Sequence, residues 1–144
     1  MFHFQLVSIS GKKFDEDVYE VILPTLDGEI GVLQDHMPLV SVATTGAIAV
    51  RRNSKDSDFQ REYFATNGGV IEVADNTLRV LVDEADNADE INEAEVQKAL
   101  ERAQKMKAEA KDQVSLEHAQ SMVDRQGVRL QVAGLKRRHQ HQRK

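Results

Sequence analysis

Cysteine and tryptophan are absent from the 144 residues, and proline occurs only twice. Without a thiol there is no disulfide, no cysteine nucleophile and no Cys-ligated zinc. The redox compartment is left open by the same absence. Five phenylalanines and two tyrosines are the only aromatics, so a core must be built from aliphatic side chains. No apolar run approaches the ~20 residues of a membrane helix. The opening residues MFHFQLVSIS lack the basic-then-apolar order of a secretory signal. They are not Arg- and Ser-rich either, and the expectation is a chain without a secretory or organelle leader. Glycine runs out early: six of the eight lie before residue 70, and only Gly127 and Gly134 follow.

What is present is ordinary soluble material, 40% hydrophobic and 30% charged, enough for one domain or two small ones. The net charge of −5 hides an asymmetry. Residues 1–88 carry 15 acidic and 7 basic side chains, whereas 89–144 carry 9 acidic and 12 basic ones. Opposite signs in the two parts predict two units with different surroundings.

The first part reads as β. Phe2–Ser10 alternates, Gly11-Lys12-Lys13 is a turn, and Asp17–Leu23 alternates again up to Pro24. Asp27-Gly28 is a hairpin signal. Val40–Arg52 is strand-like with a break at Thr45-Gly46, and Asn53–Asp58 is a polar loop. Gln60–Thr66, Val70–Ala74 and Thr77–Asp83 follow as strands, divided by turns at Asn67-Gly68-Gly69 and Asp75-Asn76. Turn signals at this spacing predict an antiparallel sandwich or barrel. At the centre sits Asp27–Val40, with Gly28 and Gly31 around a Glu-Ile pair, then His36 and Pro38. It reads as a tight hairpin running into a loop, rigidly held at the rim of a sheet.

From about Ala88 helix formers take over. Asp86, Asn87 or Asp89 can cap a start, with acids in the first turns. Ile91, Ala94, Ala99, Ala103, Met106 and Ala110 form one stripe. Lys111–Ser115 breaks it, and Leu116, Ala119, Met122 or Val123, Leu130, Ala133 and Leu135 form a second. Two helices of about 22 residues with a short connection make an antiparallel hairpin. Alanine-rich seams bury little area, so this hairpin is marginal alone, and Gly127 weakens it by roughly 1 kcal/mol. The expected division is 1–86 sandwich, 87–137 helical hairpin and 138–144 a basic, disordered tail.

Catalytic chemistry finds little support. None of the five histidines sits in a nucleophile-elbow pattern, and His36 beside Asp35 reads as a surface contact. Paired carboxylates fall in solvated runs. His139 and His141 lack a third metal ligand at suitable spacing. Gly68-Gly69 has no Lys-Ser/Thr after it and leads into a strand, so it is not a phosphate-binding loop. The body is acidic, so the basic end is not a nucleic-acid reader. No cofactor, no metal and no catalytic residue are expected.

Three stretches carry a family likeness. Gly28-Glu29-Ile30-Gly31-Val32-Leu33 followed by His36-Met37-Pro38-Leu39 resembles the "GE-(L/I)-G-(I/V)-x-x-x-H-x-P-L" segment of the epsilon subunit of F-type ATP synthases. Gly46-Ala47-Ile48-Ala49-Val50 is similar to that family's "PG-x-(I/V)-x-(I/V)" strand. Asn67-Gly68-Gly69-Val70-Ile71-Glu72-Val73 is similar to its "xGG-(I/F)-(L/V)-E-(V/I)" strand. The likeness runs through essentially the whole chain. The mitochondrial delta subunit shares the fold, but the lack of a transit peptide points to a bacterial source.

The resemblance implies an α+β chain, with an antiparallel β-sandwich of about ten strands and a C-terminal two-helix hairpin. It implies a non-catalytic rotor subunit of the central stalk, binding the gamma subunit and the c-ring and coupling rotation to proton-driven ATP synthesis. Gly28, Glu29, Ile30, Gly31, His36 and Pro38 would make that contact. The hairpin would lie on the sandwich or extend toward the alpha–beta hexamer and inhibit hydrolysis. Arg125, Arg129, Lys136, Arg137 and Arg138 would then meet acidic loops. The implied location is peripheral, on the cytoplasmic side of a bacterial inner membrane, held there through the complex alone.

Some bacterial members of the family bind ATP through "(I/L)-D-x-x-R-A" and later arginines. Here Ile91 is kept, but Asn92 replaces the Asp, Glu95 the Arg and Val96 the Ala. Arg102, Arg125 and Arg129 stand at the later positions. A carboxylate at Glu95 repels phosphate where a cation is wanted, so weak or absent ATP binding is expected. The other readings are a nucleotide-sensing module on the same fold and a small hydrolase using His36 with Asp35.

Overall fold

The computed structural model describes the backbone of residues 1–142 and the side chains through Arg138. Eight strands run β1 (Phe2–Ser8), β2 (Gly11–Val18), β3 (Glu20–Thr25), β4 (Gly28–Val32), β5 (Leu39–Arg51), β6 (Glu62–Ala74), β7 (Thr77–Val82) and β8 (Ala85–Asn87). Their order is β2-β1-β7-β6-β5-β3-β4, with β8 beside β6. All pairs are antiparallel except β1 with β7.

Two corrections to the expected all-antiparallel, ten-stranded arrangement follow. The sheet is mixed, because β1 pairs β7 in parallel. The strand count is eight, because the glycine signals at 46 and 67–69 do not end strands. β5 and β6 are 13 residues each and pair continuously past both points. At Asn67-Gly68-Gly69 β6 changes partners instead, whereas β5 pairs β6 throughout and β3 on both sides of Gly46. β6 pairs β8 over Phe64–Thr66 and β7 over Gly69–Ala74. A Cβ on Gly69 would lie 2.1 Å from the Leu81 carbonyl oxygen, and Gly68 sits at φ +114°. These residues are glycine because backbone passes close to backbone and one φ is positive. Two shorter strand limits also shift. Gly11–Lys13 opens β2 instead of forming the turn, and the run from Asp17 divides at Tyr19 between β2 and β3. The Asp75-Asn76 turn is as expected, both residues taking positive φ as a two-residue hairpin requires.

Each long strand therefore contributes to two layers. One holds β2, β1, β7 and the adjoining halves of β6 and β5; the other holds β4, β3, β8 and the remaining halves. Alternating side chains from both fill the core, with Phe4, Leu6, Leu23, Ile48, Phe64, Ile71 and Leu78 all but inaccessible to water. Phe14 stacks obliquely on Phe4 at 5.3 Å and edge-on to Phe64 at 6.0 Å.

Two helices follow, α1 (Glu93–Glu109) and α2 (Gln113–Gln142). The expected start near Asp86–Asp89 is a 3-10 turn, Ala88–Glu90, capped by Asn87. The α-helix begins later because Asn92 caps it, its Oδ1 accepting from the Glu95 amide at 3.2 Å. Asp112 opens α2, accepting from the Ser115 amide at 2.7 Å. The Ser115 bonds hold the Asp112 carboxyl below the usual carboxylate range. Val96, Ala103, Ala119 and Ala133 are buried, whereas Ala94, Met106 and Leu116 are exposed. The basic stretch expected as a disordered tail from 138 continues as helix to Gln142, since nothing before it breaks the helix. Lys144 and Arg143 lie outside the described residues.

Candidate functional site

Of the six residues singled out around the central stretch, four lie in β4 and two beyond it. β4 is an edge strand paired only with β3. Gly28 takes φ +110° at its start, where Thr25 Oγ1 donates to the Gly28 carbonyl at 2.6 Å and accepts from the Asp27 amide. Glu29 and Gly31 are exposed, and Ile30 turns inward onto the core. His36 and Pro38 follow in the next loop, beyond the end of β4, itself roughly 13 Å long. The six residues thus lie along an edge and the loop after it rather than in one rim loop. The loop is tied down: the Asp35 amide donates to Asn76 Oδ1 at 2.9 Å, and Asn76 Nδ2 donates to the Met1 carbonyl at 3.1 Å. His36 Nδ1 lies 2.7 Å from the Met37 carbonyl oxygen, and the Asp35 carboxylate meets Gln34. Asp35 therefore does not orient the His36 ring, and a base–acid pair there is not formed.

The two outer faces of the sandwich differ. On the first layer Val42, Val70, Leu81 and Val7 stand side by side in register across β5, β6, β7 and β1. Val42 is 54% exposed, Val70 and Leu81 47% each, and Val40, one pair further along, 74%. Four β-branched or branched side chains in one open row form a continuous apolar patch. A polar row borders it, Glu72, Arg79 and Gln5, with Arg79 Nε donating to Gln5 Oε1 at 3.2 Å. Beyond Gln5, His3 is clamped by two carboxylates, Nδ1 at 2.8 Å from Asp17 and Nε2 at 2.5 Å from Asp15. Asp17 and Asp15 raise the His3 pKa. Lys12, His3 and Gln5 hold the Asp15 carboxyl down at about 2.

The outer face of the second layer is covered. Val128, Val132 and Leu135 of α2 lie over Ala49, Tyr63, Ala65 and Ala88, and Val132 is fully buried. Ile91 packs on the same cluster. Around this contact the cations of α2 find carboxylates. Arg125 meets Glu84 at 3.3 Å, Arg129 meets Asp86 at 3.2 Å, Lys136 pairs with Asp89, and Arg137 meets Glu93 at 2.8 Å. The acidic join between sandwich and hairpin supplies three of these partners. Arg138 instead bonds the Gly134 carbonyl of its own helix.

The residues of the degenerate ATP motif do not converge. Asn92 is a helix cap, Glu95 and Arg102 are exposed, and Val96 is buried. Only Arg125 and Arg129 line a space between hairpin and sandwich, with Thr66, Asn67, Glu84 and Asp86. That cavity measures about 10 Å³, room for one water molecule. Asn67 Oδ1 is buried there without a hydrogen-bond partner, and the buried Nε atoms of both arginines face Glu84 and Asp86 at ion-pair distance without hydrogen-bond geometry. The donor set suits a bridging water. It does not suit a triphosphate, which needs far more room and meets two carboxylates at the guanidinium groups. No group of three or more His, Asp or Glu among the described residues is placed to hold a metal ion.

The family model for the ATP synthase delta/epsilon chain β-sandwich domain matches residues 1–88. An ATP synthase epsilon chain of Sulfurihydrogenibium is 32% identical over 137 residues, covering 94% of this chain and 99% of that one. The chain belongs to the ATP synthase epsilon family. The epsilon chain of Halalkalibacterium halodurans is also 32% identical, over 92% of this chain and 96% of its own. Among solved structures, the Euglena gracilis mitochondrial ATP synthase OSCP/F1/c-ring assembly contains a chain with TM-score 0.75 and 21% identity, covering 92% of this chain and 79% of that one. One in the Tetrahymena thermophila central stalk and c-ring has TM-score 0.59 and 14% identity, over 91% and 95%. These two show the fold. Membership agrees with the expected non-catalytic subunit, and among the described residues no helix is long and apolar enough to cross a membrane.

Two features were missed in the sequence. The open apolar row was signalled by strands apolar on both sides, as at Val80-Leu81-Val82, where a free outer face would alternate with polar residues. The ion pairs were signalled by arginines four residues apart on α2 and an acidic join of similar length.

Proposed function

We propose that the chain is the central-stalk rotor subunit of a bacterial proton-translocating ATP synthase, docking on gamma through its open sandwich face. The contrast between the two outer faces carries this reading. One is closed by the chain's own helix, and the other presents Val40, Val42, Val70 and Leu81 to solvent. Such a row costs solubility unless a partner covers it. Membership of the ATP synthase epsilon family supports gamma as the partner of this reading. The exposed edge of β4, with Glu29 and Gly31, and the tied loop carrying His36 and Pro38 face the c-ring. A stiff, pinned loop transmits torque better than a mobile one.

The hairpin is the regulatory element. Arg125, Arg129, Lys136 and Arg137 are paired with this chain's own carboxylates while it is docked. They can reach acidic loops of the alpha–beta hexamer only after it leaves. Membrane association, on the cytoplasmic side, is through the complex. The test is co-purification with gamma: Val42→Asp with Leu81→Asp should abolish it while the sandwich stays folded by amide hydrogen exchange. Retained gamma binding would place the interface elsewhere. In the assembled ATPase, removing residues after Ala88 should raise hydrolysis; unchanged hydrolysis would remove the inhibitory role and leave the stalk role standing.

A further inference from the structure

We infer that the docked hairpin is held by a self-contained ionic latch, in which the acidic join takes the place of any ligand. The inference rests on the reading of the hairpin as a movable element. Three cations of α2 reach the join, at Glu84, Asp86 and Asp89, and Arg137 ties α2 to Glu93 at the start of α1. Arg125 and Arg129 lie one helical turn apart, and Lys136 about two turns further on. Glu84, Asp86 and Asp89 share a short segment, so they repel one another whenever the hairpin leaves. The cations of α2 relieve that repulsion on docking. Beneath the pairs the apolar contact is narrow, with Val132 its only fully buried valine. The cavity between Arg125, Arg129 and Asn67 has room for water alone. Nothing in this arrangement waits for a nucleotide to complete it.

The pairs are partly solvated, with side-chain exposures of 38% and 49% at Arg125–Glu84 and 29% and 33% at Arg129–Asp86. Pairs of that kind are screened by salt. The latch is therefore ionic-strength dependent and indifferent to ATP. A polyanionic protein surface competes with the join for the same cations.

The cysteine-free chain permits a direct test. Lys55→Cys and Lys111→Cys, both exposed positions, take a fluorophore pair that reports the docked fraction by energy transfer in the full-length chain. Raising sodium chloride from about 0.05 M to about 0.5 M should lower transfer. Glu84→Gln, Asp86→Asn and Asp89→Asn together should lower the docked-to-undocked ratio about tenfold at low salt. Strand amides should keep their exchange protection. Arg129→Asp should undock the hairpin, and adding Asp86→Arg should restore docking. Magnesium ATP should change none of these. Salt-insensitive docking, a triple variant that docks as the native chain does, failure of the charge swap, or re-docking by ATP would each overturn the latch. Because only hairpin position is read, these outcomes are separate from those of the gamma and hydrolysis tests.

Discussion

Val132→Ala isolates the apolar part of hairpin docking. Val132 is the fully buried α2 side chain in the cluster with Ala49, Tyr63, Ala65 and Ala88. Truncation removes two methyl-sized groups, about 1.6 kcal/mol of transfer free energy at ~0.8 kcal/mol each. The neighbouring alanines are short and cannot fill the space, so a cavity term brings the loss to roughly 2 kcal/mol. That is about a 30-fold fall in the ratio of docked to undocked hairpin. Native-state hydrogen exchange reads it residue by residue. Amides of α1 and α2 should exchange about 30-fold faster, while those of β1, β6 and β7 keep their rates. The reasoning is refuted in two ways. If strand amides accelerate in step with helix amides, the chain unfolds as one unit and the hairpin has no docking equilibrium of its own. If no amide changes, α2 is not anchored at Val132.

Three further outcomes follow from single positions. Gly127 has open space where a Cβ would go, so Gly127→Ala should stabilise α2 by roughly 1 kcal/mol, seen as slower exchange of its central amides. Gly69→Ala drives a Cβ onto the Leu81 carbonyl oxygen and should abolish the folded sandwich; a native-like melt would contradict the close approach. His3 has a raised pKa, so its clamp on Asp17 and Asp15 contributes fully below its ordinary value of about 6.5 and is lost as pH rises through the raised one. Exchange protection along the β1–β2 edge should fall over that window, and His3→Gln should flatten the dependence; an equal slope in the variant would assign it to another group.

Much of the β domain was legible because alternation, turns and glycines mark strands directly. Asp75-Asn76 was read correctly since two positive φ angles demand such residues. Asn67-Gly68-Gly69 was misread for an equally physical reason. A glycine pair that lets backbone pass close to backbone within a strand looks the same in sequence as one that reverses the chain. The ends of the helices were legible only within a few residues, because Asp86, Asn87, Asp89 and Asn92 are all competent caps and tertiary packing chose among them. The candidate site was least legible. Glu29 and His36 look adjacent along the chain, but Glu29 sits near the start of β4 and His36 in the loop beyond its end. The arginines of α2 show no partner until the join folds against them.

On the proposed reading the cations of α2 serve both positions of the hairpin, and that would decide how salt acts on the assembled ATPase. In the isolated chain the undocked hairpin has solvated cations, so salt weakens one side of the equilibrium only. In the complex, the proposed alternative is a second set of acidic partners. Screening then weakens both sides, and much of the salt dependence cancels. What remains is the difference in apolar burial, since a ligand shifts an equilibrium only by its differential affinity for the two states. On the docked side that burial is Val128, Val132 and Leu135 over an alanine floor. On the other side the unused apolar surface is at the hairpin tip, where Val114 is 78% exposed and Met106 42%. The ion pairs therefore set register and exclusivity, and the balance between Val132 and the tip sets direction. Val132→Ala and Val114→Ala should accordingly move inhibition of hydrolysis in opposite senses. Parallel effects would mean that tip and anchor do not act on the same equilibrium.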